Sequence, residues 1–447
     1  MKKINLLIAA GAALASMGSL VSCGSSADVT ITVYNAEDYI YEATDEDGNQ
    51  IDGEKSTIEG FQDWYYEQTG KTIEVNYQTF STIEEMYSKI KAGSIKADLV
   101  CPSDYMIQKM QREGMLESFG YDSTTDKYGV DLQNVNDNLS PYIKDLFKKN
   151  SFSDYAVPYF WGTMGYTYNP DKVDTDKINS WEFQWNPVAA DGTSLANKIS
   201  VKDSVRDTYF TAVMHVYHDD LMTLKNQFDA GKLTATQYNA KLSEIFNRVD
   251  SETLSKAKAA LLDLKKKAIL EVDEGKSDIV KGTLVSNLAW SGDSVYAMDT
   301  AEESGVYLNY TIPQEGSNVW FDGWCMPKGS NVEASKAFVN YLSLPEVAAK
   351  NMEATGYTSP LACDAIWDLV NDLYAAEESA TEVDEVDLSY FFGEDHKIKV
   401  LTEERGRQFD AQYPDENTIA RCAVMKDFDD EATEALHNMW GDFKTGN

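Results

Sequence analysis

Between Val29 and Tyr105 the apolar residues switch repeatedly between a period of two and a helical period, and that alternation restricts the fold more than any other feature of the chain. VTITVYN (29–35) alternates as a half-buried strand does. Ser56-Thr57-Ile58-Glu59 reads as a capping box, Phe61, Trp64 and Tyr65 share one face beyond it, and Gly70 supplies a stop. KTIEVNYQ (71–78) alternates again. Ser81 and Glu84 form a second capping box at the head of STIEEMYSKIKAG, which closes on Gly93, and ADLVCPSDY (97–105) is a compact apolar strand ending in a Pro-Ser turn. Strand, helix, strand, helix, strand makes a parallel α/β unit, whose ligands gather at the carboxyl ends of the strands. The polar excursion EATDEDGNQIDGEK (42–55) offers Asp45, Asp47 and Asn49 at calcium-loop spacing. That loop needs Gly at its sixth position and Glu at its twelfth, and Gln50 and Ser56 stand there, so it reads as a surface turn.

The pattern changes after Tyr155. AVPYFWGTMGYTYNP (156–170) is aromatic and extended and suits a crossing between lobes. Residues 221–281 form a charged, helix-patterned block: LMTLKNQFDAGKL, ATQYNAKLSEIFNRV and SETLSKAKAALLDLKKKAI. An apolar strand TLVSNLAWSGD (283–293), the aromatic run VWFDGWCMP (319–327) and a helix SKAFVNYLSLPEVAAKNMEATG (335–356) follow. The tail from Ala375 reads as acidic and helical, apart from a strand-like KIKVL.

At the amino end Lys2 and Lys3 precede an apolar stretch (4–21) and LVSCG (20–24), the layout of a secretory signal. Leucine three places and serine one place before Cys23 resemble the lipobox of bacterial lipoproteins, which implies cleavage before Cys23, a lipid on its sulfur and a short tether of Gly24, Ser25 and Ser26. The formal net charge of −35 argues against nucleic-acid phosphates and anionic lipid as partners and in favour of solubility or cationic ligands. Cys101, Cys325, Cys363 and Cys422 show no CxxC spacing, so metal ligation has no support; buried thiols or one pair remain open.

Catalytic signatures are missing. His215 and His218, in HVYHDD, are spaced to share a metal on a helix, but no third ligand pattern follows them. There is no nucleophile elbow, phosphate-binding loop or HExxH. Acids and aromatics instead recur together at the ends of apolar runs. Asp38 and Tyr39 follow the first strand, and Ser103 and Tyr105 the third. Asp203, Arg206 and Asp207 lie in SVKDSVRDTYF, Trp290 and Asp293 in AWSGD, Trp320 and Asp322 in VWFDG, and Tyr357 in TGYTSP. Aromatic faces attract ammonium groups and carboxylates give them charge-assisted hydrogen bonds, so a slender organic cation fits this combination. A glycoside hydrolase, which needs only two carboxylates, is the remaining enzymatic reading.

At these residues the chain resembles the spermidine/putrescine-binding proteins of bacterial ABC importers, from about Val29 to Phe443. VYNAEDYI, ADLVCPSDYMIQKMQREGML, VPYFWGTMGYTYN, LAWSGDSVYAM, FDGWCMPKGS and ATGYTSP carry the likeness. It implies an α/β, two-lobed binding protein of the type II periplasmic class, each lobe a mostly parallel sheet flanked by helices, with a ligand cleft between lobes. The expected division is residues 29–159 with 323–362 in one lobe and 160–322 with 363–447 in the other, with a helical insertion at about 221–253. By resemblance Asp38, Ser103, Tyr105, Asp207, Trp290, Asp293, Trp320, Asp322 and Tyr357 bind the amine, and Tyr39 is expected to line its methylene chain with them. In the aromatic run, Trp320 is expected to face the ligand with Asp322 while Phe321 packs behind. Three positions depart from the family pattern: Ala36 where a tryptophan is usual, Ser204 (or Asp203) where an aspartate is usual, and Met425 where a glutamine can occur. They leave putrescine, spermidine and another small solute open. The implied protein is a lipid-anchored, extracytoplasmic monomer without cofactor or metal, and its partners are a polyamine and a membrane permease.

Overall fold

The strands follow from these patterns. Up to Phe160 the chain forms β1 (Val29–Ala36), β2 (Ile73–Phe80), β3 (Leu99–Val100), β4 (Leu116–Glu117) and the first part of β5 (Ala156–Tyr168). It then forms β6 (Ile199–Lys202), β7 (Ala268–Glu271), β8 (Ser286–Trp290) and β9 (Asn309–Thr311), enters β10 (Ser317–Pro327), and later adds β11 (Val383–Asp387), β12 (Lys397–Leu401) and β13 (Cys422–Ala423). The computed structural model describes residues 27–45, 48–271 and 274–446. The expected signal, Cys23 and its tether therefore lie outside the described residues, as does Asp47 of the polar excursion. Among the described residues no helix is long and apolar enough to cross a membrane.

Two compact units emerge. Unit 1 comprises the described residues up to Phe160, Asp322–Leu373 and Phe391–Glu394, and unit 2 comprises Trp161–Phe321, Tyr374–Tyr390 and the described residues from Asp395. The chain thus passes between them within β5, again within β10, and then after Leu373, Tyr390 and Glu394.

In unit 1 the strands lie in the order β2-β1-β3-β10. β1 runs parallel to β2 and β3, as the strand–helix alternation requires, while β10 is antiparallel to β3 through Cys325 and Val100. The helix Thr57–Thr69 carries the expected capping box of Ser56 and Glu59 and ends on left-handed Gly70. It lays Phe61 against Phe338, with ring centroids 4.9 Å apart, in a core that also takes Ile31, Val33, Leu99 and Trp324. The second cap sits one residue later than the sequence reading placed it. Thr82, not Ser81, accepts from the Glu85 amide, because β2 runs on to Phe80 and turns the Ser81 hydroxyl to Glu37. The segment expected as one helix from 335 is two, Val332–Leu342 and Pro345–Thr355, because Pro345 lacks the amide that would continue the first turn-by-turn ladder.

In unit 2 the order is β5-β8-β6-β7, with β9 on β5 and β13 on β10. β6 runs parallel to both β7 and β8, whereas β8 is antiparallel to β5. The charged block folds as helices His218–Asp229, Ala235–Phe246 and Ser251–Leu264, which bury Leu221, Tyr238, Leu242 and Leu261. Its expected last helical residues are instead β7, since Ala268 and Glu271 pair with Ile199 and Lys202. The tail holds a second strand beside KIKVL: VDEVD pairs with it antiparallel, Val386 and Ile398 facing inward.

Candidate functional site

The carboxyl ends of the parallel strands carry the side chains of interest in each unit. In unit 1 two carboxylates are buried, Asp104 in the first turn of the helix after β3 and Asp322, and Asp322 is the one the sequence reading named. It lies in the middle of β10 and not at a strand end, as the sequence reading had it. Because β10 runs antiparallel to β3, the Asp322 backbone bridges Ser103, just past the end of β3. The Tyr39 hydroxyl donates to Asp322 Oδ2 at 2.6 Å. Burial, and then the neighbouring Asp322 charge, push the Tyr39 hydroxyl far above its usual range, so it remains a neutral donor at any physiological pH. Around the pair stand aromatic rings: Tyr357 and Phe160 meet the Tyr39 ring edge-on at 5.0 and 5.1 Å, and Tyr159 at 5.7 Å. Tyr357 is half-buried, which leaves part of its ring open to a ligand.

The other residues of unit 1 divide. Asp38 is exposed in the turn after β1, at a positive φ of 50° that aspartate tolerates better than most residues. That turn delivers Tyr39 to Asp322. Ser103 stands at the N-cap of the helix Asp104–Arg112 without a side-chain capping bond. The Tyr105 hydroxyl donates to Glu84 Oε1 at 2.9 Å, which ties Tyr105 to the preceding helix. Burial raises the thiols of Cys101 and Cys325, and Asp322 adds to the effect on Cys101; the four described cysteines are unbridged.

In unit 2 the ends of three neighbouring parallel strands converge. β7 ends on Glu271, β6 on Lys202 and β8 on Trp290, and Asp293 follows in the first turn of the helix Ser291–Glu303. The Lys202 ammonium lies 4.5 Å from the centre of the Trp290 ring, 3.5 Å from Glu271 Oε1 and 3.7 Å from Asp293 Oδ2. Its residue is only 1% exposed. Glu271 also accepts from the Gly275 amide at 2.9 Å, and a Cβ at Gly275 would fall 2.4 Å from the same carboxylate. Burial raises the Glu271 carboxyl, with Asp293 adding and Lys202 opposing.

Trp320 packs against β5 at Gly162 and Thr163. Its Nε1 donates to the Thr163 carbonyl at 3.2 Å, and a Cβ on Gly162 would lie 2.7 Å from its ring and 2.3 Å from Ser291 Oγ. Asp207 occupies the first turn of the helix Val205–Val216, where its amide donates to Ser204 Oγ, so Ser204 is the cap, and Asp203 pairs with Lys444 instead. Arg206 donates to the Lys426 carbonyl at 2.7 Å and lies over Phe428. Met425 is buried. His215 and His218 turn to different carboxylates, Glu182 and Glu315, at 2.5 and 2.9 Å.

Lys202 and Glu271 escaped the sequence reading. The signal that exposes them is the one used for the acids, a charge closing a short apolar run, in ISVK and AILE. A lysine at such an end carries the same signal as an acid, and AILE is masked because it continues the lysine-rich helical pattern before it.

Comparison with known proteins places the chain. The profile of a family described as bacterial extracellular solute-binding protein matches residues 61–365. A spermidine/putrescine-binding periplasmic protein of Salmonella typhimurium is 26% identical over 307 residues, 67% of this chain and 74% of the relative. A putrescine-binding periplasmic protein of Pseudomonas aeruginosa is 27% identical over 385 residues, 82% and 89% of the two chains. Among solved structures, a putative spermidine/putrescine ABC transporter protein from Listeria monocytogenes superposes with a TM-score of 0.61 at 25% identity, covering 94% of this chain and 99% of its own.

Proposed function

Because the chain belongs to the bacterial extracellular solute-binding proteins, we propose that it captures a polyamine of the putrescine or spermidine type outside the cytoplasm and hands it to the permease of an ABC importer. The observation that carries this reading is the Asp322 carboxylate, 9% exposed and held by the hydroxyl of Tyr39, whose ring meets those of Phe160 and Tyr357 edge-on. A neutral phenol orients the carboxylate without cancelling its charge, so an arriving ammonium gains a charge-assisted hydrogen bond. The aromatic rings then cover its methylene chain and add cation–π attraction. Asp38, Ser103 and Tyr105 complete the set in unit 1, and Asp207, Trp290, Asp293 and Trp320 form the set in unit 2. Ligand binding shifts the population toward a state that the permease recognises, and the solute leaves chemically unchanged.

The lipid on Cys23 belongs to the same reading: a single anchored chain acts as a monomer at the membrane surface, supported by the LVSCG motif. The names of the relatives support the amine, and the pairing of buried acids with aromatic rings supports it independently. Titration calorimetry with putrescine and with spermidine tests it. Measurable heat and a rise in melting temperature are expected, with Asp322→Asn weakening binding at least about tenfold, the loss of one charged hydrogen bond. No heat and no thermal shift with either amine would sink the reading.

A further inference from the structure

We infer that Lys202 is the protein's own ammonium at the Trp290–Asp293 subsite, so that the solute presents an uncharged hydrogen-bond acceptor there and carries a single cationic amine, as an N-acylated diamine does. The inference rests on the reading that Trp290 and Asp293 belong to the solute site.

Three observations support it. The first is occupancy. An aromatic face flanked by two carboxylates is the environment an organic ammonium seeks, and Lys202 Nζ already lies 4.5 Å over the Trp290 ring between Glu271 and Asp293. The second is fixity. Lysine is almost never fully buried unless paired. Lys202 is 1% exposed and its backbone sits in β6 with neighbours on both sides, its register opposite Glu271. The stem is rooted in the sheet and the head is held by two acids, so the ammonium does not swing away at little cost. The third is charge. A second ammonium about 5 Å from the first repels it by roughly 3 kcal/mol at an effective dielectric of about 20. A carboxylate end meets the opposite obstacle, because two acids surround the one lysine. An amide carbonyl or hydroxyl avoids both penalties and can accept from the Lys202 ammonium, one of the side chains with several N–H donors.

The arrangement also explains why aromatic and acidic residues at this end do not by themselves identify a diamine. The residues that would receive its second ammonium are present, but the chain supplies the cation.

Calorimetry on the full chain at one ionic strength decides it, with putrescine and N-acetylputrescine as probes against wild type, Lys202→Met and Lys202→Met/Glu271→Gln. The double variant removes one acid with the lysine, so that a buried carboxylate surplus does not confound folding, and circular dichroism melting checks each protein. Wild type is expected to bind N-acetylputrescine at least about tenfold more tightly than putrescine, and both variants to reverse that order. If neither variant folds, the wild-type order alone decides. A wild type that prefers putrescine, or variants that fold and keep the wild-type order, overturn the role given to Lys202 and leave the amine reading standing. Absence of heat with either probe in every folded protein overturns the amine reading, and this inference with it.

Discussion

In unit 1 the buried carboxylate of Asp322 accepts from a phenol that stays neutral, whereas in unit 2 Asp293 and Glu271 gather around an ammonium. Both arrangements draw on strand ends, buried acids and aromatic rings, and the sequence patterns that encode them look alike. They differ in the donor that meets the carboxylate. Tyr39 supplies a neutral hydroxyl to Asp322, which orients the acid and adds no charge, whereas Lys202 brings a full positive charge to Glu271 and Asp293 inside the fold. Similar surroundings thus hold a phenol in one cluster and a cation in the other.

Removing the cation is the most severe way to break this contrast. Lys202→Met leaves Glu271 and Asp293 buried without their shared ammonium, and the expected loss is about 3–5 kcal/mol of stability, read as a drop in the urea midpoint followed by tryptophan fluorescence. Tyr39→Phe, the corresponding change in unit 1, takes away a neutral donor and is expected to cost about 1–3 kcal/mol in the same assay. If the two losses are equal, the distinction between a neutral and a charged clamp fails.

Asp299 sharpens the contrast from a third position. It accepts from Gln408 Nε2 at 2.8 Å, a neutral donor like Tyr39, and burial pushes its carboxyl up to about 7 from an ordinary 3.8. The folded protein therefore binds a proton there that the unfolded chain has released. Stability from this group is fully present below about 3.8, falls as pH rises, and is lost by about pH 7. Asp299→Asn should remove that decline and raise the melting midpoint at pH 8 by the equivalent of about 1–2 kcal/mol, after allowance for partial solvent screening, with no gain at pH 4. A pH-independent effect would show that Asp299 is ionised throughout.

The smallest effect calibrates the rest. Thr82→Ala, remote from either carboxylate cluster in sequence and lying in unit 1, removes an ordinary capping bond and should cost about 1 kcal/mol, while Ser81→Ala stays within about 0.5 kcal/mol. Equal costs at the two positions would restore the register read from the sequence.

How far the fold was legible follows the range of each interaction. The β1–helix–β2–helix–β3 alternation is local, and its period, caps and glycine stops determine it within a few residues. The one-residue error at the second cap has a simple origin. Ser81-Thr82-Ile83-Glu84-Glu85 contains two overlapping capping boxes, and only the length of β2 chooses between them. β7 was hidden because AILE follows a run of lysines that continues the preceding helical pattern; its identity depends on pairing with β6, far away in the chain. Asp322 was recognised as out of place among aromatics, and Tyr39 was named independently. Nothing local shows that the two join, because their contact spans 283 residues. Lys202 was invisible for another reason: a lone lysine after three apolar or small residues looks like a strand returning to solvent, and burial of its head is a property of the neighbouring strand ends alone.

Gly162 has a consequence beyond this one molecule. With no Cβ, it leaves the space in which the Trp320 ring and Ser291 Oγ both lie. The two positions are coupled across 158 residues of chain, and descent should preserve them as a pair: in an alignment of related sequences, a side chain at 162 should coincide with a smaller residue at 320 or 291. Where the tryptophan persists, the glycine should persist with it, whichever solute the protein has come to carry.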